Sequence, residues 1–254
     1  MYYELWIKST TFAPSYARTY YIYIGKVMKI GILTAMSVEF RQVAAMLCET
    51  ESIQHGPQQY LTGTLGRNQI VLLQCGIGKV NAAMGVTDLI LHFQPDCIIS
   101  TGVAGGIDTC LRVMDVVVGR ATCYHDVWCG DGCDPGQVPG LPMSFTGDAR
   151  LLAAATGIKT QVNIVPGMIC TGDQFITSRD ELKRIKGQYP EALAVDMESA
   201  AIAQVCHLYG IPFLSFRIIS DTPGAEAHFD QYLDFWATMA DRSFTVTKAF
   251  LESI

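Results

Sequence analysis

The feature that most constrains this chain is an alternation that begins at Met28, in which short β-branched apolar runs are each followed by a stretch of helical periodicity. Runs near 28–34, 69–75, 96–101, 113–118, 164–170 and 211–219 read as strands, and stretches near 37–49, 79–93, 178–187, 196–209 and 230–252 read as helices. Unbroken apolar runs belong to strands buried on both faces, and helices alternating with strands supply the cover. The expectation is an α/β fold: a single three-layer domain with a mostly parallel or mixed central sheet and helices on both faces.

No repeat and no Pro-, Gly- or Ser-rich linker divides residues 28–254, which are expected to form one domain. Gly and Pro crowd only Trp128 to Pro142, and this stretch is expected to be a long functional loop. Residues 1–27 read as an N-terminal extension. They lack the cationic start and apolar core of a secretory signal, so Met28 is read as the physiological start, with an edge strand at Tyr20 to Ile24 as the alternative.

Charge and hydropathy exclude whole classes of partner. Eighteen Lys and Arg against 24 Asp and Glu give a net charge of −6, which leaves no surplus positive charge to neutralise a nucleic-acid backbone. Mean hydropathy is +0.25, yet no run reaches the roughly 18 apolar residues of a spanning helix. No membrane partner is expected, and the apolar surplus is assigned to a buried sheet or a subunit interface. Cys75, Cys97, Cys170 and Cys206, four of nine cysteines, sit inside apolar runs as core thiols, pointing to a reducing, cytoplasmic compartment.

In open α/β sheets ligands bind beyond the carboxyl ends of the strands. Those positions carry Ala35-Met36-Ser37-Val38-Glu39, Gly76-Ile77-Gly78, Thr101-Gly102-Val103-Ala104-Gly105-Gly106, Thr171-Gly172-Asp173-Gln174-Phe175 and Arg217-Ile218-Ile219-Ser220-Asp221. GIGKVN has Asn81 at the third glycine of a dinucleotide fingerprint and Val80 where a P-loop needs Ser or Thr, so a tight turn is the simpler reading. The Gly-rich TGVAGG segment fits a required sharp turn or a ligand-facing one. Cys123, His125, Asp126, Cys129 and Cys133 include metal-ligating types, but C-x3-C without a second pair is not zinc spacing. His125 and Asp126 are expected to form a local hydrogen-bonded pair instead. Asp196 and Glu198 read either as helix N-terminal acids or as functional groups, and Arg217 inside an apolar strand needs a carboxylate partner or a ligand.

Taken in order, MKIGILTAMSVEF, GIGKVNAA, STGVAGGID, YHD, GQVPG, TGDQFI, AVDMESAAIAQVCH and RIISD resemble the nucleoside phosphorylase superfamily, and most closely its 5′-methylthioadenosine/S-adenosylhomocysteine nucleosidases. The resemblance runs from Met28 to the C-terminus. It implies hydrolysis of an N-glycosidic bond through a ribosyl cation-like transition state, releasing adenine and a 5′-thioribose. Asp221 would then be the acid at adenine N7, Glu39 the base that activates water, and Glu198 the acceptor for the ribose hydroxyls. Met197 would pack on the sugar, Phe175 would stack on adenine, and the Ile176 backbone would read its edge. Met36, Ile77, Val103, Arg217 and Ser220 would complete the substrate site. The resemblance implies no metal and no organic cofactor. It also implies a homodimer in which the 128–142 loop lies near the neighbouring site.

Two departures stand out. Val103 occupies a position where many relatives carry Ser, and the long loop carries Cys and Gly in place of aromatics. A phosphorylase of the same fold is the nearest rival, but Glu39 at the nucleophile side repels a phosphate dianion. Aminofutalosine as substrate and a non-catalytic nucleoside binder remain as alternatives.

Overall fold

The structure, a computed structural model, describes residues 27–222, 232–236 and 240–254. The N-terminal extension before residue 27, the edge strand considered at Tyr20 to Ile24, and parts of the helix expected over 230–252 lie outside the described residues.

Neighbouring residues of the central strands face opposite layers. Ile70 and Leu72 pack into one core with Ile30, Ile32, Cys97 and Ile99, while Val71 and Leu73 pack into a second with Leu33 and Ile98. This period of two, with both faces apolar, is why the strands read as continuous apolar runs. The strands are β1 (Lys29–Thr34), β4 (Asn68–Gln74), β5 (Cys97–Gly106) and β10 (Phe213–Asp221), parallel in the order β4-β1-β5-β10. On one face lie α1 (Ser37–Ala44), α3 (Ala149–Thr156) and α6 (Ala240–Ser253); on the other, α2 (Lys79–Phe93) packs beside α5 (Ser199–Tyr209). The three-layer α/β expectation is met.

The sheet is mixed, and it curls on itself. β10 pairs parallel to β5 and antiparallel to β6 (Val116–Tyr124). β6 runs parallel to β8 (Ile164–Thr171), β8 parallel to β9 (Ala192–Asp196), and β9 returns antiparallel to the end of β5. Five strands thus close a ring, to which β7 (Ser144–Thr146) adds beside β6. All nine residues of β10 are buried, because its neighbours cover both edges and the two cores cover both faces. Each large apolar side chain placed there contributes roughly 1.5–3 kcal/mol relative to exposure.

Several boundaries differ from expectation for identifiable reasons. The helix expected over 37–49 ends at Ala44, and β2 (Cys48–His55) and β3 (Gln58–Leu65) follow as a hairpin extending the sheet from β4. β2 is almost wholly exposed, so its sequence carries no apolar period. The α3 helix was not expected; Asp148 caps it by accepting from the N–H groups of Arg150 and Leu151. The Gly-rich segment read as a turn is the end of β5, where Gly105 and Gly106 pair with Val195 and Ala194. A Cβ on Gly105 would lie 3.3 Å from both Asp221 Oδ2 and Val195 Cγ2, so the glycine there serves close approach. The helix expected from 196 starts at Ser199, and Asp196 closes β9 instead. α4 (Arg179–Gln188) lies where a helix was expected, with Ser178 as its cap. Among the described residues, no helix is long and apolar enough to cross a membrane.

Candidate active site

The ends of β1, β5, β9 and β10 converge on one cleft, about 660 Å3 counted to its open mouth. It is lined by Glu39, Asp196, Glu198 and Asp221, together with Met36, Ile77, Val103, Phe175, Ile176, Met197 and Ser220. Every candidate residue from the sequence reaches it except Arg217, which lies buried beneath.

Glu39 stands in the first turn of α1 and turns back on its own helix start. Its Oε2 accepts from the N–H groups of Ala35 and Met36, each at 3.0 Å, and its Oε1 accepts from the Val103 N–H at 3.0 Å. Three donors from two elements hold the carboxylate in one orientation. Burial lifts the Glu39 carboxyl above its ordinary range, against the opposing pull of Arg217 and these three N–H groups. A Cβ at Gly102 would overlap Glu39 Oε1 and come within 2.8 Å of Arg217 Nη1, so only glycine fits. The side chain of residue 103 plays no part in holding Glu39, because the main chain does so.

Glu198 occupies the N-cap position of α5 but does not cap it with its side chain. Its Oε1 instead accepts from the Gly78 N–H at 3.0 Å, and its Oε2 lies 3.6 Å from Arg217 Nη2. Burial pushes Glu198 up to about 7; Arg217 pulls the other way, while Asp196 and Glu39 add repulsion. Arg217, 1% exposed, is the cation common to these acids. Its Nε is 2.9 Å from Asp196 Oδ2, and its Nη2 donates to Ser100 Oγ at 2.9 Å and Ser199 Oγ at 3.2 Å. The expectation that Arg217 needs a carboxylate partner is met by Asp196, which also accepts from Thr171 Oγ1 at 2.5 Å and from the Ser199 hydroxyl. Ser220 Oγ donates to Asp221 Oδ1 at 2.7 Å.

The GIGK turn is tied down by carboxylates. The Gly78 and Lys79 N–H groups donate to Glu198 and to Asp173 Oδ1, the latter at 2.8 Å, and Lys79 Nζ pairs with Asp126 at 2.7 Å. The donors and the cation that an anion would need at this helix start are engaged within the protein. Asp126 also accepts from the Asp173 N–H, so it does not form the expected pair with His125. Both ring nitrogens of buried His125 lack a hydrogen-bond partner among the described residues. Cys123 lies buried with its sulfur 3.4 Å from that of Cys170, while Cys129 is exposed; the ligand types at 123–133 form no metal-binding group among the described residues.

Residues 29–252 match the family described as the phosphorylase superfamily. Over 213 residues, 82% of this chain and 93% of the relative, the chain is 38% identical to a 5′-methylthioadenosine/S-adenosylhomocysteine nucleosidase of Tolumonas auensis. The chain belongs to the phosphorylase superfamily and, within it, to the 5′-methylthioadenosine/S-adenosylhomocysteine nucleosidases. A Streptococcus pyogenes S-adenosylhomocysteine nucleosidase in complex with 5-methylthiotubericidin matches this nucleosidase-family chain with a TM-score of 0.84 at 36% identity, covering 90% of this chain and 98% of its own. A Colwellia psychrerythraea nucleosidase in complex with adenine gives the same TM-score and identity, covering 90% of this chain and 96% of its own.

Sequence reasoning missed two contributors to the nucleosidase-family cleft, Tyr232 and Gln174. Tyr232 lines it, with its hydroxyl 3.4 Å from Met36 Sδ and its ring 5.4 Å from that of Phe175 at 72°. Nothing in the local sequence marks Tyr232, since its only signal is an aromatic among others near the C-terminus. Gln174 also lines the cleft, where adjacency to Phe175 was the available clue, and so does Asp196, already weighed from the sequence as a functional acid.

Proposed function

We propose that this protein hydrolyses the N-glycosidic bond of 5′-methylthioadenosine and S-adenosylhomocysteine, releasing adenine and the 5′-thioribose. The observation that carries this reading is the convergence of Glu39, Glu198 and Asp221 on one cleft, with Glu39 held by three main-chain donors.

Glu39 is the base. Its fixed orientation aims it at a water, and a carboxyl lifted by burial is a stronger proton acceptor than an exposed one. Glu198, held by Gly78, accepts from the ribose hydroxyls and balances the positive charge that develops on the sugar. Asp221 protonates the leaving adenine at N7, with Ser220 orienting its carboxyl. Phe175 and Ile176 form the base pocket and Met197 packs on the ribose. Arg217 positions the acids from below, without meeting the substrate. Water is the nucleophile because Glu39 repels a phosphate dianion and the GIGK donors are already engaged.

The protein acts in this reading as a cytoplasmic homodimer. Val80, Met84 and Leu91 of α2 and Leu208 and Tyr209 at the end of α5 are exposed apolar residues on helices packed side by side. Trp128, also exposed, opens the 128–142 loop that would reach toward the neighbouring site. Buried free thiols support a reducing compartment.

Adenine release from 5′-methylthioadenosine, with and without phosphate, tests the reaction. Free methylthioribose formed without phosphate is expected; a sugar 1-phosphate, or no adenine at all, would overturn it. Asp221→Asn should abolish turnover while nucleoside binding stays measurable.

A further inference from the structure

A second group of chemistry-bearing side chains lies outside the cleft. His55, at the end of β2, meets Asp88 and His92, four residues apart on α2. Both His55 Nδ1 and His92 Nδ1 lie 3.3 Å from the same oxygen, Asp88 Oδ1. One ligand atom from each of the three lies within 4.8 Å of the others, and the imidazole centroids are 3.3 Å apart. The other carboxylate oxygen, Asp88 Oδ2, accepts from the Tyr60 hydroxyl.

We propose that His55, Asp88 and His92 form a binding site for a divalent transition metal such as Zn2+. Tetrahedral Zn2+ with bonds of about 2.0–2.1 Å sets its ligand atoms roughly 3.3 Å apart. Two edges of the triangle already have that length. Two imidazoles and one carboxylate oxygen suit Zn2+, Ni2+ or Co2+ and not the hard, oxygen-seeking cations, and water supplies the fourth position. Tyr60, buried and hydrogen-bonded to the non-ligating oxygen, is the outer partner that orients the carboxylate. His92 Nδ1 exchanges its 3.0 Å contact with the Asp88 main-chain oxygen for the metal. The side chains of His55 and His92 are 43% and 38% exposed, so the ion enters directly from solvent.

The site has a structural consequence. It clasps the outer hairpin of β2 and β3 to α2, the helix whose first turn holds Glu198 through Gly78. On the helix wheel Asp88 and His92 lie to one side of the exposed stripe of Val80, Met84 and Leu91, leaving the metal accessible beside that stripe.

Titration of the full chain with Zn2+ by calorimetry tests this, using wild type and the double variant His55→Ala/His92→Ala. One equivalent should bind wild type, with affinity at least 10-fold weaker in the variant, and Zn2+ should raise the melting temperature of wild type alone. Melting without metal reports whether the variant is folded, and Tyr60→Phe serves as a milder second variant expected to weaken binding about 10-fold. Because exposed cysteines also attract Zn2+, the spectrum of the Co2+ form decides the ligands: d–d bands without thiolate charge transfer are expected. Unchanged affinity in the folded double variant, or a thiolate band that persists in it, would overturn the site.

Discussion

The Gly78 N–H donates to Glu198 Oε1 at 3.0 Å, joining residues 120 apart in the sequence. The same turn passes its next N–H to Asp173, so one turn fixes both Glu198 and the loop that carries Phe175. Glu198→Gln keeps an oxygen able to accept from Gly78 but removes the charge that, in the proposed reaction, faces the developing cation. Its kcat should fall about 10²–10³-fold, measured as adenine release at saturating substrate.

Stability should respond to the same change in the opposite sense. Folding raises Glu198 from an ordinary 4.5 to about 7, so the folded chain binds this proton more tightly than the unfolded chain. The contribution is fully present below the unfolded value and is lost as pH rises through about 7. Denaturant unfolding should therefore show Glu198→Gln gaining on wild type between pH 4.5 and pH 8, by on the order of 2–3 kcal/mol.

The pH dependence of kcat/KM follows from that direction. In the proposed mechanism Glu39 and Glu198 act ionised, and burial raises both, so activity should climb on an acidic limb displaced upward from the ordinary carboxylate range toward about 7. The limb belongs to the interacting carboxylates together. A profile already flat from pH 5 upward would contradict it.

Arg217 is the cation set against Asp196 and Glu198, and it also pulls on Glu39. In Arg217→Met, Asp196, Glu198 and Glu39 stay buried without their cation, and the fold should lose about 3–5 kcal/mol, read from chemical denaturation. Arg217→Lys should not restore stability, since a single ammonium cannot reproduce the guanidinium's separate contacts with Asp196, Ser100 and Ser199.

Gly102→Ala and Val103→Ser form a contrasting pair. The added Cβ at 102 meets Glu39 Oε1, displaces the proposed base, and should lower kcat about 10²-fold with KM little changed. The serine at 103 leaves the main-chain donor in place, so kcat/KM should stay within about threefold of wild type, roughly 0.6 kcal/mol. Steady-state kinetics on both variants separates main-chain from side-chain support.

Much of this arrangement was legible because buried strands advertise themselves. β1, β4, β5 and β10 are apolar on both faces, and Glu39 after β1 and Asp221 at the end of β10 stand out against the glycines that follow β4 and end β5. β2 was invisible for the converse reason: CETESIQH is exposed and leaves no apolar period to read. Asp196 and Glu198 looked alike as neighbouring acids at a helix start. Only their partners separate them, Asp196 held by Arg217 Nε at 2.9 Å with the Thr171 and Ser199 hydroxyls, and Glu198 by the Gly78 N–H. Ring closure by β10 was likewise hidden, since pairing with both β5 and β6 depends on strand twist and length and not on any residue type.

Ring closure also bears on how the enzyme is made. Arg217, Ser220 and Asp221 all ride on β10, the last strand in chain order among the described residues, whereas Glu39 and Glu198 are synthesised before it. A nascent chain stalled short of β10 carries its acids with no cation to hold them and no partner for the edges of β5 and β6. Arg217 and Asp221 therefore reach the cleft wall together on one strand, and Tyr232, which also lines the cleft, follows only after it.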